Sequence, residues 1–338
     1  MVLIMAGAPE FFLSLLAIFL FSFLITFLIT PILIRKMAAR GLTGKDMNKF
    51  SRPEVAEMGG ISIILGVSLA VIVAIFISTY LGFLDFSLSI LFAAFLTILL
   101  VGFIGVVDDI VGWKRGIRQY QHALFPLFAA LPLMAVQAGT DSLVLPFFGP
   151  VSIGILYSLV LVPIAVTGAS NAFNMLAGFN GLEAGLGVII VSTLSLVALL
   201  TGKVEALIIG LAVLGALLAF LKFNWFPAKI FGGDSLTLMI GASIAVISIV
   251  GNMEKLGVAI IALHWVELGF KAKRKFQSES FGIPDKHGFL SPSPEGGSLT
   301  HFILSFRPMT EKQLVLSILA LQALVSIAVF VLFYFRLF

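Results

Sequence analysis

Stretches of about twenty apolar residues recur from one end of this chain to the other, and a helix of that length is what crosses a hydrocarbon core about 30 Å thick. Ten such segments are read, at 11–34, 59–80, 86–107, 122–140, 152–172, 184–201, 204–221, 235–252, 256–270 and 313–335. The ninth is short and runs into charge. The runs are continuous, whereas strands that line a barrel alternate. Of the 338 residues, 60% are hydrophobic and 11% charged, against about a quarter charged in a soluble globule. Lipid is therefore the expected solvent for most of the surface.

Orientation follows from Lys and Arg. With the amino terminus outside, the inward loops 35–58, 108–121, 173–183, 222–234 and 271–312 hold 18 of the 21, and only Lys203, Lys255 and Arg336 face outward. The positive-inside rule then makes the 18-residue side cytosolic and puts both termini outside. The basic pI of 9.3 thus reflects topology, not affinity for nucleic acid. The first span has no basic residue ahead of it and is expected to be retained. Without cysteine, neither disulfides nor thiol chemistry is open to the chain. The expected fold class is an all-α polytopic membrane bundle of about ten transmembrane helices, one domain over 1–338, with a small outward hairpin within 141–151.

Polar residues at span ends are expensive and mark candidate sites. Asp108 and Asp109 close the third span, at a helix C-terminus where negative charge is disfavoured. Salt bridges to Lys114, Arg115 or Arg118 would compensate them, as would a divalent cation. Being neighbours, they point about 100° apart and should not share a role. Asn171 and Asn174 lie three apart on one helical face, with amide oxygens suited to a hard cation. Asn180 and Glu183 read as a capping pair for the sixth span, while Gly178 and Gly181 would let the backbone approach a bound group. Asp234 stands at a natural N-cap position, which alone would explain it. His264 and Glu267, three apart, read as a buried hydrogen-bonded pair. The four His are dispersed, so no zinc set is present. Carboxylates, amide oxygens, helix N-termini and basic groups on one face suit a phosphate substrate with Mg²⁺.

The segments DMNKFSRPEVAEMGG, GFIGVVDDIVG, NAFNMLAGFNGLEAG and NWFPAKIFGGDS, in this order between residues 44 and 245, resemble the polyprenyl-phosphate N-acetylhexosamine-1-phosphate transferases. LAGFNGLEAG resembles the archaeal and eukaryotic dolichyl-phosphate branch. The resemblance implies transfer of N-acetylglucosamine-1-phosphate from UDP-N-acetylglucosamine to a dolichyl or other polyprenyl phosphate, with Mg²⁺ as cofactor and Mn²⁺ as a substitute. Motif by motif it implies Asn174 and Asp234 as metal ligands and Asp108 and Asp109 at the reacting phosphates. It places Lys45, Asp46, Met47, Glu57, Asn180, Lys286 and His287 around the nucleotide sugar. It places Lys49, Arg118 and Asn171 at the lipid phosphate or pyrophosphate. Arg118 stands where relatives carry Lys, and Lys286-His287-Gly288 where this branch carries a His between two Arg. The expected location is the cell membrane with the active site facing the cytosol; membrane lipid is a partner, and a homodimer is admissible. Another UDP-N-acetylhexosamine, an undecaprenyl carrier, or a membrane transporter are the rival readings.

Overall fold

The computed structural model describes residues 9–111, 119–140, 142–145 and 149–336, and at 119–123, 142–145 and 149–151 the backbone alone. Seven of its helices are long and apolar enough to cross a membrane. In chain order the helices are α1 (Pro9–Ala39), α2 (Gly60–Phe76, prolonged by a π-helical turn to Leu81), α3 (Leu88–Val111), α4 (Gln119–Ala129), α5 (Leu131–Ala135) and α6 (Val162–Met175, preceded by a π-helical turn from Tyr157). They continue as α7 (Leu182–Thr201), α8 (Val204–Asn224), α9 (Asp234–Val250), α10 (Glu254–Ile260), α11 (Ala262–Lys273), α12 (Leu299–Leu304) and α13 (Glu311–Tyr334). The protein is a multi-pass, mostly helical membrane protein.

Three expected spans take a shorter form. The apolar stretch at 122–140 is split between α4 and α5, and 256–270 is split at Ile261 between α10 and α11. The eighth is α9, whose residues from Ser235 to Ile249 are all buried. It packs against α3, α6 and α8 at the centre of the bundle. A hairpin is present where one is expected, as β3 (Ser142–Leu145) paired antiparallel with β4 (Gly149–Ser152). Lipid-facing ridges are plain on the outer helices: Leu13, Leu16, Leu20, Leu24 and Leu28 of α1 and Leu324 and Ile327 of α13 are all exposed.

Between apolar helices, small hydroxyls and backbone carbonyls supply the directional contacts that the hydrophobic effect cannot supply in lipid. Ser22 Oγ donates to the Ala212 carbonyl at 2.5 Å, and Thr30 Oγ1 donates to Ser62 Oγ at 3.0 Å. These bonds fix α1 against α8 and α2.

The two loops that matter most, after α1 and after α11, are ordered. After α1 the chain forms a hairpin of β1 (Thr43–Lys45) and β2 (Glu54–Ala56). β2 runs on alongside the loop before α9: Phe231 N–H donates to the Ala56 carbonyl at 2.7 Å, and Gly59 and Gly60 N–H donate to the Phe231 and Gly232 carbonyls at 2.9 Å each. The long loop after α11 folds into a three-stranded sheet of β5 (Ile283–Pro284), β6 (Phe289–Ser291) and β7 (Met309–Thr310), with α12 inserted.

Glu267 anchors that loop. Its carboxylate is fully buried and accepts from Leu299 N–H at 2.6 Å, Ser298 Oγ at 3.1 Å and Ser280 Oγ at 3.3 Å, with Lys271 Nζ at 3.5 Å. The expected His264–Glu267 pair is therefore corrected: every bond of Glu267 goes to the loop or to Lys271. His264 instead stacks on Phe173, ring centroids 4.5 Å apart, and both its ring nitrogens lack a hydrogen-bond partner among the described residues. Glu267→Ala is expected to destabilise the protein by about 2 kcal/mol, because it strands several buried donors. Cleavage within 276–298 under limited proteolysis should accelerate; an unchanged digestion pattern would refute the anchoring role.

Candidate active site

Asp109 and Asp234, 125 residues apart in sequence, meet where α3 ends and α9 begins. Asp109 Oδ1 accepts from Asp234 N–H at 2.7 Å, and Asp109 Oδ2 accepts from Ser235 Oγ at 2.7 Å and Ser235 N–H at 3.2 Å. An unpaired carboxylate is out of place at the C-terminus of α3. Here the positive N-terminal end of α9, with donors that have no partner inside their own helix, answers it. The approach depends on Gly105: a Cβ there would lie 2.5 Å from the Asp234 carbonyl oxygen and the Ser235 backbone.

This corrects the capping role read for Asp234. The residue preceding the helix is Gly233, which has no side chain to offer, and Asp234 is the first helical residue. Capping of α9 is delegated to a carboxylate from another helix. Asp108 lies about 100° round α3 from Asp109, half-buried at the same helix end.

Asn174, in the last turn of α6, joins the same corner. Its Oδ1 accepts from Thr237 Oγ1 at 2.7 Å, one turn into α9 from Asp234. A carboxamide oxygen has two lone pairs, so this bond orients the group and leaves acceptor capacity. Asn171 donates from Nδ2 to the Thr167 carbonyl at 2.9 Å, back along its own helix. Glu57, at the end of the β1–β2 hairpin, belongs here too: burial, and then the negative charge of Asp234, push its carboxyl above the ordinary carboxylate range. Its side chain lies across Gly44, where a Cβ would clash with it.

A second knot gathers around Asn180, which is 2% exposed. Its Oδ1 accepts from Ala228 N–H at 2.6 Å and Lys49 Nζ at 3.1 Å, and its Nδ2 donates to Asp46 Oδ2 at 3.0 Å. Lys49 also pairs with Asp46, reaches Glu311 Oε2 at 3.4 Å, and stands 4.9 Å over the ring of Phe226. Glu311 Oε1 in turn accepts from Asn180 N–H at 2.8 Å. The Asn180–Glu183 capping pair is thus corrected. Gly181, with φ +79°, precedes α7 without a side-chain cap, Asn180 faces the other loops, and Glu183 alone turns back, accepting from Gly178 N–H at 2.5 Å. The space above Gly178 and Gly181 is also taken, by the rings of Phe281 and Trp225, each with an atom 2.6 Å from where a Cβ would stand.

Of the remaining expected residues, Lys45 is exposed on β1 opposite Glu54, and Met47 is half-buried beside Asp46. Lys286 and His287 are exposed at the tip of the β5–β6 hairpin. The turn there is shaped by Asp285, whose Oδ1 accepts from His287 N–H and Phe289 N–H at 2.8 Å each. The bond from Phe289 N–H, above all, holds the Asp285 carboxyl below its usual range. Arg118, with Lys114 and Arg115, lies outside the described residues.

Two residues of this site escaped the reading of the sequence. Asn48, 4% exposed, donates from Nδ2 to the Gly178 carbonyl at 2.7 Å and accepts at Oδ1 from Gly282 N–H at 3.2 Å, tying three loops together. Glu311 was passed over because it adjoins an apolar run. Its signal was the TEKQ sequence at 310–313, a capping box that marks a helix start and is formed in the structure.

The match to a family model, described as glycosyl transferase family 4, covers residues 90–252 and so includes both Asp109 and Asp234. A protein of Saccharolobus solfataricus, provisionally named a UDP-N-acetylglucosamine–dolichyl-phosphate N-acetylglucosaminephosphotransferase, is 36% identical over 91% of this chain and 93% of its own. The chain belongs to glycosyl transferase family 4. A protein of Sulfolobus acidocaldarius with the same provisional name is 34% identical over 90% of this chain and 92% of its own. The phospho-N-acetylmuramoyl-pentapeptide-transferase of Streptococcus mutans is 32% identical over 69% of this chain and 71% of its own. As a family 4 member the protein is a sugar-phosphate transferase, and the candidate site is assembled from the ends of helices, not from one contiguous motif.

Proposed function

We propose that this enzyme transfers N-acetylglucosamine-1-phosphate from UDP-N-acetylglucosamine to a polyprenyl phosphate of the dolichyl type, at the cytosolic face of the cell membrane. The products are polyprenyl-diphosphate-N-acetylglucosamine and UMP. The observation that carries the reading is the meeting of Asp109, Asp234 and Asn174 at the start of α9, joined by loop pairing to the Asn180–Asp46–Lys49 knot. The printed names of the archaeal relatives favour this donor and acceptor. The excess of Lys and Arg in the loops that build the site favours the cytosolic side.

The donor set at α9 suits Mg²⁺. It offers the Asp234 carboxylate and the Asn174 amide oxygen, hard ligands of the type Mg²⁺ selects, and it is sparse. Among the described residues no group of three His, Cys, Asp or Glu converges on a metal position. Mg²⁺ commonly takes only one or two protein oxygens and completes its shell with phosphate and water. Asp234 and Asn174 would hold it, and bound there it would neutralise charge on the diphosphate.

The chain's own groups account for the remaining demands of an in-line transfer. An oxygen of the lipid phosphate bonds to the sugar-linked phosphorus as the bond from that phosphorus to the bridging oxygen breaks, and UMP leaves with the electron pair. A phosphate monoester has a second pKa of about 6, so the acceptor is largely dianionic at neutral pH and needs no strong base. Asp109 holds α9 in place through its three bonds. Asp108, turned to another side of α3, is assigned to orient the acceptor or take a residual proton. Asn180 and Asp46, buried and mutually bonded, would present a fixed edge to the nucleotide sugar.

Purified protein with Mg²⁺, a polyprenyl phosphate and a panel of UDP-sugars should release UMP fastest with UDP-N-acetylglucosamine. Release with none of them would defeat the reading, and faster release with a different UDP-N-acetylhexosamine would replace the donor.

A further inference from the structure

Glu311 is a buried carboxylate in a place where helix formation does not ask for one. The start of α13 is already closed by Thr310 and Gln313: Thr310 Oγ1 accepts from Gln313 N–H at 3.3 Å, and Gln313 Oε1 accepts from Thr310 N–H at 3.0 Å. Glu311 is nevertheless 3% exposed, and burying a charged group is costly unless it is paired and bonded. Its two oxygens are spent away from its own helix, on Asn180 N–H at 2.8 Å and Lys49 Nζ at 3.4 Å.

Those two partners are the hinge points of the second knot. Asn180 lies between the buried Phe179 and Gly181, the residue that opens α7. Its carboxamide is held by Asp46, Lys49 and Ala228, and its backbone is held by Glu311. With the backbone pinned, the carboxamide keeps one orientation, oxygen toward Lys49 and Ala228 and nitrogen toward Asp46. Lys49 is shared by the carboxylates of Asp46 and Glu311, so Glu311 also sets where the ammonium rests.

We propose that Glu311 is a positioning residue for nucleotide-sugar recognition, fastening the last helix of the chain to Asn180 and Lys49. The claim rests on the function proposed above, in which Asn180 and Asp46 contact the nucleotide sugar. Lys49, expected at the lipid phosphate or pyrophosphate, is bonded instead to Asp46 and Asn180 on the donor side, so the loss of Glu311 should be felt in donor recognition and not in acceptor recognition.

The test compares wild type, Glu311→Ala and Glu311→Gln as full-length protein, with KM measured separately for UDP-N-acetylglucosamine and for polyprenyl phosphate. Binding of UDP with Mg²⁺ is followed in parallel by calorimetry, which needs no turnover. Hydrogen bonds to charged groups are worth enough that Glu311→Ala should raise the donor KM and the UDP Kd about tenfold. The acceptor KM should stay within about twofold. Glu311→Gln should recover part of the loss, because its amide oxygen can still accept from Asn180 N–H. If the alanine variant does not fold, the glutamine variant must still show a raised donor KM.

Unchanged donor KM and UDP affinity, or an equal rise in both KM values, would overturn the proposal. Wild type that binds UDP yet releases no UMP would refute the transferase reaction. In that case weaker UDP binding by Glu311→Ala would still uphold the positioning role, and unaltered binding would end it.

Discussion

Replacing Asp234 with alanine is expected to slow sugar-phosphate transfer about a thousandfold, the scale on which removal of a key electrostatic group acts, while the protein remains folded. The two halves of this expectation come from different atoms of one residue. The backbone N–H of Asp234 is what Asp109 grips, and alanine keeps it. The carboxylate is dispensable for closing α9, because the cap is supplied from α3 and the preceding Gly233 supplies none. UMP release and thermal unfolding in the same detergent preparation separate the effects. A large fall in melting temperature with little loss of turnover would reverse the assignment.

Gly105→Val should do the opposite, breaking the frame before it touches the chemistry. Its Cβ would stand 2.5 Å from the Asp234 carbonyl oxygen and from backbone atoms of Ser235, and backbone cannot swing aside as the end of a long side chain can. Either α3 withdraws from α9 or the start of α9 distorts, and both outcomes pull Asp109 off its three donors. Overpacking and a lost cap together are expected to cost about 4 kcal/mol, with activity falling in step. Gly168→Ala in the neighbouring α6 is the control: a Cβ there meets nothing within 4 Å and alanine suits a helix interior better than glycine, so the melting temperature should not fall. Comparable destabilisation by both substitutions would mean that the α3–α9 contact is not special.

The long helices were legible because lipid exposure writes itself as uninterrupted apolar sequence: α1, α2, α3, α7, α8 and α13 fall where twenty-residue runs predict them. The interior pieces were less so. The apolar run at 256–270 concealed a break at Ile261 and a glutamate whose partners lie in the following loop, and hydropathy does not register where a side chain's bonds go. At the candidate site the sequence pointed to the right corners but misread local roles. Asp234, Asn180 and Glu183 all sit beside helix starts, and spacing alone offers capping as the nearest explanation. The actual partners of Asn180 lie 48 to 134 residues away in sequence, beyond the reach of any rule built on neighbours along one helix. Asn48 was missed for the same reason, its two contacts being 130 and 234 residues distant.

At 17 residues and 1.5 Å per residue, α9 is about 26 Å long, shorter than the hydrocarbon it is nominally matched to. Since protein surrounds it on every side, that shortfall exacts no penalty of tilt or bilayer thinning, which are problems of helices in contact with lipid. Its depth is dictated by its neighbours alone. The end of α9 that carries Asp234 can thus stay at a constant level while the host membrane thickens, thins or changes its lipids around the outer helices.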